Sequence, residues 1–244
     1  MMQDYATDFW RGMDDLHGFS FYRKPIQNIE PCRAITVVDV YRYLVGHYAK
    51  PQTDTLRSLT SPSEAKKYKA THFDYCTFSG LFRKRNEKEL ILHSGLLCLD
   101  FDHVGNPDRF KERLLKHDYF DTELMFTSPS GDGVKWIIPI DLKGWEHSRY
   151  FMAVANCIKS TGLPPVDKSG SDVARSCFLP YDPQAYINPK YSEYVKENLF
   201  RPILGECPFK TRGIGRMPLL NKRLRYLPCR HMTLLRLHQT SLLI

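Results

Sequence analysis

Two aspartates separated by one residue end an apolar run, LLCLDFD, at residues 96–102. Side chains alternate between the faces of a β-strand, so Asp100 and Asp102 would point the same way. Two like charges on one surface are costly unless a cation lies between them, and carboxylate oxygens favour Mg²⁺ or Mn²⁺. The pair therefore indicates a metal site. A strand that ends in a turn at Asp102-His103 is the alternative interpretation.

Later segments of the chain could complete such a site. The glycine-rich loop SPSGDG at 128–133 would let backbone amides approach a phosphate, and Lys135 adds a positive charge, although these residues also suit a plain hairpin turn. A phosphoryl-transfer site needs a third carboxylate, for which Asp167 and Asp172 are both candidates. Arg175 would either clamp a triphosphate or pair with a neighbouring acid.

Hydrophobic periodicity and turn residues predict the elements that carry these side chains. From residue 95 the expected order is a strand at 95–102, a helix from 106 to about 117, a hairpin at 123–140, a helix at 145–160 and a strand at 174–179. This is the β-α-β-β-α-β order of the RRM-like (ferredoxin-like) unit, an α+β fold. Helices cover only one face of such a sheet, so the sequence predicts an open face that carries the two aspartates.

The chain divides into three predicted parts. Residues 1–94 form an N-terminal α/β layer packed on the core, with helices at 37–48 and 63–69 and a strand or strand pair at 75–82. Residues 95–200 form the RRM-like core. Residues 201–244 are a tail with nine Lys or Arg and a single Glu, which equals the whole net charge of +8. A tail of this composition suits either a phosphate-binding arm or a truncated, poorly ordered end.

Composition excludes several classes of protein. No stretch approaches the roughly 18 apolar residues of a membrane span, and the N-terminus lacks the pattern of a signal peptide. The seven cysteines are scattered and never form C-x-x-C, which argues against a disulfide framework or a zinc knuckle. We therefore expect a globular, cytoplasmic protein without a membrane partner.

Three motifs in this order resemble a known family. The segments LDFD (99–102), SPSGDGVKW (128–136) and VDKSGSDVARSCFLPYDP (166–183) are similar to those of VirE N-terminal domain-like proteins of bacterial mobile elements. Those proteins in turn resemble the archaeo-eukaryotic primase (primase-polymerase) superfamily, whose metal site lies on an RRM-like sheet. The resemblance implies a domain that binds nucleoside triphosphates, divalent metal and DNA, with possible nucleotidyl transfer in mobile-element replication.

The resemblance also assigns roles to individual residues. It implies that Asp100, Asp102 and Asp167 are catalytic and bind Mg²⁺ or Mn²⁺. It places nucleotide binding on four residues of the hairpin and on a later arginine: Ser130, Gly131, Gly133, Lys135 and Arg175. The sequence departs from the superfamily at Lys135, where the primases carry histidine. Lysine neutralises phosphate but lacks the near-neutral pKa of imidazole, so binding tolerates the change better than catalysis.

Two alternatives stay open. The first is a non-catalytic DNA-binding or helicase-accessory module of the same fold. No G-x-x-x-x-G-K-[ST] loop occurs, so a helicase would belong to another chain or to a missing C-terminal part. The second is a haloacid-dehalogenase-like phosphatase, because DFDHV at 100–104 fits D-x-D-x-[TV]. That fold has a parallel sheet, so an antiparallel pairing across 123–140 would exclude it.

Overall fold

Two four-stranded antiparallel sheets and a two-stranded ribbon organise residues 17–197, the part of the chain that the computed structural model describes. The strands are β1 Phe19–Tyr22, β2 Arg33–Ile35, β3 Tyr75–Thr77, β4 Gly80–Phe82, β5 Leu90–His93, β6 Leu96–Phe101, β7 Leu124–Thr127, β8 Val134–Pro139, β9 Cys177–Phe178 and β10 Tyr186–Ile187. The helices are α1 Val37–Val45, α2 Lys50–Ser58, α3 Pro62–His72, α4 Pro107–Leu115, α5 His147–Ser160 and α6 Ser192–Glu197. The expectation of a mixed α/β protein is confirmed.

The second sheet, in the order β10-β7-β8-β6, carries the aspartate pair. Strands β7 and β8 form the expected antiparallel hairpin, with Leu124 opposite Ile137 and Thr127 opposite Val134. Strand β6 also pairs antiparallel with β8. These pairings exclude the parallel sheet of a haloacid-dehalogenase-like phosphatase.

The first sheet, in the order β2-β1-β3-β9, contains a pairing that the sequence did not predict. The strand expected at 174–179 is short, and its residues Cys177 and Phe178 pair with Cys76 and Tyr75 of β3. An RRM-like unit would instead place this strand beside β6. The RRM-like arrangement is therefore not confirmed. The two C-terminal strands are divided between the sheets, with β9 in the first and β10 in the second.

Alternation along β6 divides the core into two clusters. Leu97, Leu99 and Phe101 point toward helices α4 and α5, where they pack with Phe110 and Phe151 among others. The opposite face, expected to be open, is covered over most of its length. There Leu96, Leu124, Phe126 and Ile137 form one cluster with side chains of the first sheet and α1, such as Phe19 and Leu44.

Local sequence explains where the helices begin. The Thr36 side chain accepts a hydrogen bond from the Asp39 amide, and the Asp39 carboxylate accepts one from the Thr36 amide, a capping box that starts α1. Asn106 caps α4 through the Arg109 amide, with Pro107 in the first turn. Helix α2 lies between the two helices expected at 37–48 and 63–69 and was not predicted; Pro51 occupies its first turn, a position that suits proline.

Three further expectations concern the whole chain. No helix within residues 17–197 is long and apolar enough to cross a membrane. Cys76, Cys98, Cys157 and Cys177 are free thiols. Cys32, in contrast, is disulfide-bonded, which departs from the expectation of a chain without disulfides. The predicted basic tail lies outside the described residues.

Candidate metal and phosphate site

Three carboxylates converge at the end of β6. One oxygen each from Asp100, Asp102 and Asp167 lies within 4.8 Å of the others. Asp100 is near the end of β6, Asp102 follows that strand, and Asp167 comes from the loop after α5. The sequence left Asp167 and Asp172 as alternative third ligands; the structure brings Asp167 to the pair. Asp172 instead accepts a hydrogen bond from the Ala174 amide, 2.8 Å away.

Asp167 is held by its backbone and its side chain. Its amide donates to the Asp100 carbonyl at 2.8 Å, which ties the loop to the edge of β6. Its carboxylate accepts from the amide and hydroxyl of Ser169 and caps a short 3₁₀ turn, Lys168–Ser171. The pKa of Asp167 is lowered: burial acts to raise it, but these hydrogen bonds and Arg175 together outweigh that effect. Asp167 is therefore an anion with a fixed position.

Lys135 lies beside Asp100 rather than free in the loop. The two residues are directly opposite each other on β8 and β6, and their side chains form an ion pair through Asp100 Oδ2. Both side chains are about six-sevenths buried, at 14% and 15% exposed. Burial raises the pKa of Asp100 despite Lys135, and the pKa of Lys135 is also raised, because burial is outweighed by Asp100 and nearby groups.

One carboxylate oxygen at this site has no hydrogen-bond partner within residues 17–197. Asp100 Oδ1 is buried and accepts no hydrogen bond from any of the described residues. A buried carboxylate oxygen without a donor is costly, and a cation is the usual remedy. Three carboxylates offer the hard oxygen ligands that Mg²⁺ and Mn²⁺ prefer. The donor set and the unpaired oxygen thus fit a divalent metal ion.

The glycine-rich loop between β7 and β8 lies against Asp102. Gly133 approaches so closely that a Cβ there would be 2.5 Å from the Phe101 carbonyl oxygen and 3.4 Å from Asp102 Cα. Gly131 has a φ of +86°, a conformation that favours glycine. Ser130 is exposed at the tip, whereas Ser128 Oγ accepts the Gly133 amide at 3.1 Å. Of the predicted nucleotide-binding residues of this loop, Gly133 therefore lies against Asp102, whereas Gly131 lies beside Arg57 and Ser130 is at the exposed tip. The loop's shape is fixed by its own hydrogen bonds.

Arg175 also reaches the site, but from a turn and not from a strand as expected. Its guanidinium is 3.5 Å from Asp167 Oδ2, and the side chain is half exposed. Arg175 and Lys135 both border a small cavity beside Asp100 with an empty volume of about 380 Å³, which includes open solvent. Cys98 and Cys177 form part of its wall.

The N-terminal layer adds two cationic residues that sequence reasoning missed. Arg57 of α2 donates from Nε to the Pro129 carbonyl at 3.2 Å, so it supports the glycine-rich loop. Lys69 of α3 is half-buried near the carboxylates; burial and then Lys135 lower its pKa, while Asp100 and Asp102 act in the opposite direction. Nothing in the sequence distinguishes either residue from the other cations of these polar helices, which are Lys50 in α2 and Lys66 and Lys67 in α3.

Comparison with known proteins corrects the resemblance inferred from the motifs. Residues 67–187, just under half of the chain, match the family model described as BT4734-like, N-terminal domain. This is a different family from the VirE N-terminal domain-like proteins and the primase superfamily, so the inferred relationship is wrong. The matched segment contains all three converging aspartates and Lys69. Neither the curated proteins nor the solved structures contain a match to the chain.

Proposed function

We propose that this protein binds a divalent metal ion together with the phosphates of a nucleoside triphosphate, and transfers nucleotidyl groups to a DNA strand. Two observations carry the proposal: the carboxylates of Asp100, Asp102 and Asp167 converge, and Asp100 has a buried oxygen without a hydrogen-bond donor among the described residues. A metal ion bound there would supply charge neutralisation at the transferred phosphate and activation of the attacking hydroxyl.

The residues around the carboxylates support a polyphosphate as ligand. Three carboxylates alone repel phosphate, so a site for both needs cations on its border. Lys135, Arg175 and Lys69 provide them from three different elements. The guanidinium of Arg175, half exposed, is free to turn part of its donor edge toward a phosphate. The amides of the loop at 128–133 offer further donors beside Asp102.

The arrangement of the second sheet also supports the proposal. Strands β6, β7 and β8 with helices α4 and α5 follow the chain order and pairing of the first five elements of an RRM-like unit. We therefore propose that the second sheet is a variant of the RRM-like sheet, in which the Asp167 loop lies at the edge of β6 in place of the fourth strand. That edge contact is what brings the third carboxylate to the other two.

A primer-extension assay tests the catalytic claim. The full chain is incubated with a labelled primer on a DNA template, nucleoside triphosphates and Mn²⁺ or Mg²⁺. We expect metal-dependent incorporation that is lost in Asp102→Asn, a variant suited to the test because Asp102 is exposed and its change leaves the core intact. Incorporation equal in Asp102→Asn and in the unaltered protein would contradict the claim.

The ion pair between Lys135 and Asp100 favours a second candidate function. The Lys135 amine is paired with Asp100, and only 14% of the side chain is exposed, so it is poorly placed to move with a reacting phosphate. A module that binds nucleotide and DNA without turnover has no need of such movement. Metal-dependent nucleotide binding without incorporation in the same assay would select this candidate.

A further inference from the structure

A partly buried histidine, His93, and a buried one, His147, form a hydrogen-bonded chain that ends at the turn behind Asp167. His93 Nε2 lies 3.0 Å from His147 Nδ1, and His147 Nε2 lies 3.1 Å from the Gly170 carbonyl oxygen. His93 belongs to β5 and His147 begins α5, whereas Gly170 lies in the Lys168–Ser171 turn. The chain thus connects three elements that are far apart in sequence.

The direction of every hydrogen bond in this chain follows from its first donor. The Gly95 amide donates to His93 Nδ1 at 3.0 Å, so the proton of neutral His93 is on Nε2. His93 Nε2–H then donates to His147 Nδ1, which leaves the proton of His147 on Nε2 for the Gly170 carbonyl. Burial lowers the pKa of both imidazoles, so the rings are neutral near pH 7, as this arrangement requires.

The turn is also wedged between two elements of the core. A Cβ on Gly170 would collide with the Phe151 ring of α5 and would lie 3.1 Å from the Cys98 carbonyl oxygen of β6. His147 and Phe151 are one turn apart on α5, so the helix contacts Gly170 at two points. Asp167, at the start of the same turn, bonds to the Asp100 carbonyl. The turn therefore has little freedom while the His147 contact is made.

We propose that His147, oriented by His93, is a positioning residue for Asp167: its hydrogen bond to the Gly170 carbonyl fixes the turn that presents the third carboxylate to the metal ion. The inference rests on the proposed metal site. His147 touches neither the carboxylates nor the phosphate region, so it acts through the turn alone.

Two amide variants of His147 test this role. Mn²⁺ binding to the full chain is measured for each variant by titration calorimetry. The side-chain nitrogen of His147→Gln lies where Nε2 lies and retains the donor to Gly170, whereas that of His147→Asn is too short to reach it. Partners bonded directly to a metal ligand are worth roughly 10- to 100-fold in affinity, and His147 acts one step further away through the turn, so we expect His147→Asn to weaken Mn²⁺ binding by about 10-fold and His147→Gln to restore it. His117→Ala is the matched control, since it removes another partly buried imidazole, one bonded to Thr161 at 3.4 Å.

The outcomes separate this inference from the proposed function. Failure of the unaltered protein to bind Mn²⁺ would overturn the metal site and, with it, the role of His147. Binding by the unaltered protein with equal affinity in the Asn and Gln variants would overturn the positioning role alone. Loss of cooperative unfolding in both variants, with His117→Ala still folded, would also overturn it, because His147 would then serve the fold and not the site.

Discussion

Asp100 is the residue around which the candidate site is organised, because its two oxygens have different surroundings. Oδ2 forms the ion pair with the Lys135 amine, whereas Oδ1 is buried and has no hydrogen-bond partner among the described residues. Lys135 therefore offsets the cost of burying one carboxylate without filling its whole coordination capacity. The sequence placed Lys135 with the phosphate-binding loop; its register opposite Asp100 makes it first a partner of the carboxylate.

Removing Lys135 should destabilise the protein through Asp100. Lys135→Met leaves a buried carboxylate without its cation, which we expect to lower the free energy of unfolding by about 3 kcal/mol. Asp100→Asn combined with Lys135→Met removes both charges, so we expect a smaller loss. Urea unfolding of the two variants without metal measures the difference. Equal losses in the single and the double variant would show that the pair is not coupled.

His93 should make the stability depend on pH. Burial, with smaller contributions from His147 and His17, lowers its pKa to about 4, whereas an unfolded histidine titrates near 6.5. The unfolded state therefore takes up a proton first as the pH falls, and stability present above pH 6.5 is lost between about 6.5 and 4. We expect the loss attributable to His93 to reach about 2–3 kcal/mol.

The measurement is urea unfolding at pH 7 and at pH 4.5, compared between the unaltered protein and His93→Gln. The variant cannot titrate at this position, so its stability should fall less over the same range. A fall of the same size in both proteins would show that other groups cause the acid sensitivity.

At the scale of elements, the glycine-rich hairpin loop and the Asp167 turn converge on the end of β6. The loop contacts Asp102 through Gly133, and the turn contacts the Asp100 carbonyl through the Asp167 amide. Helix α2 supports the loop through Arg57, and helix α5 supports the turn through His147. The loop and the turn are therefore each stabilised by a different helix.

A methyl group at Gly133 should displace the loop from β6. The added Cβ would be 2.5 Å from the Phe101 carbonyl oxygen, so Gly133→Ala should cost about 1–3 kcal/mol and weaken metal-dependent nucleotide binding. Gly144→Ala is the control, because its φ of +87° imposes backbone strain but its Cβ meets no atom within 4 Å. Unchanged nucleotide binding in Gly133→Ala would argue against a role for the loop.

The elements that local sequence predicts well are those whose boundaries depend on neighbouring residues. Asn106 and Pro107 marked the start of α4, and the glycine-rich run at 128–133 marked the β7–β8 hairpin. The pairing of strands that are distant in sequence cannot be predicted in this way. Nothing in the local sequence of Cys177 and Phe178 indicates that they pair with β3 and not with β6. The convergence of Asp167 depends on the same long-range packing, so sequence alone left it undecided against Asp172.

At the scale of the whole molecule, the N-terminal layer and the second sheet share one hydrophobic cluster. Leu124, Phe126 and Ile137 are fully buried on the face that meets the first sheet and α1. The layer also contributes Arg57 and Lys69 to the site. The expected boundary at residue 94 therefore separates segments of sequence that pack together closely in space.

A fragment that begins at residue 95 should not fold by itself. It would expose these three apolar side chains and leave β9 without its partner β3. We expect the fragment 95–197 to lack the cooperative thermal unfolding of the full chain, as followed by near-ultraviolet circular dichroism. A cooperative transition with a native-like spectrum would contradict this expectation and support an independent core.

The most direct test of the account is Mn²⁺ binding to the full chain, measured by titration calorimetry in the unaltered protein, Asp102→Asn and Asp118→Asn. Asp102 and Asp118 are both exposed acids, but only Asp102 lies among the three converging carboxylates. The account expects saturable binding that Asp102→Asn weakens by at least about 10-fold and Asp118→Asn leaves unchanged. Absence of binding, or equal binding in all three proteins, would contradict the metal site.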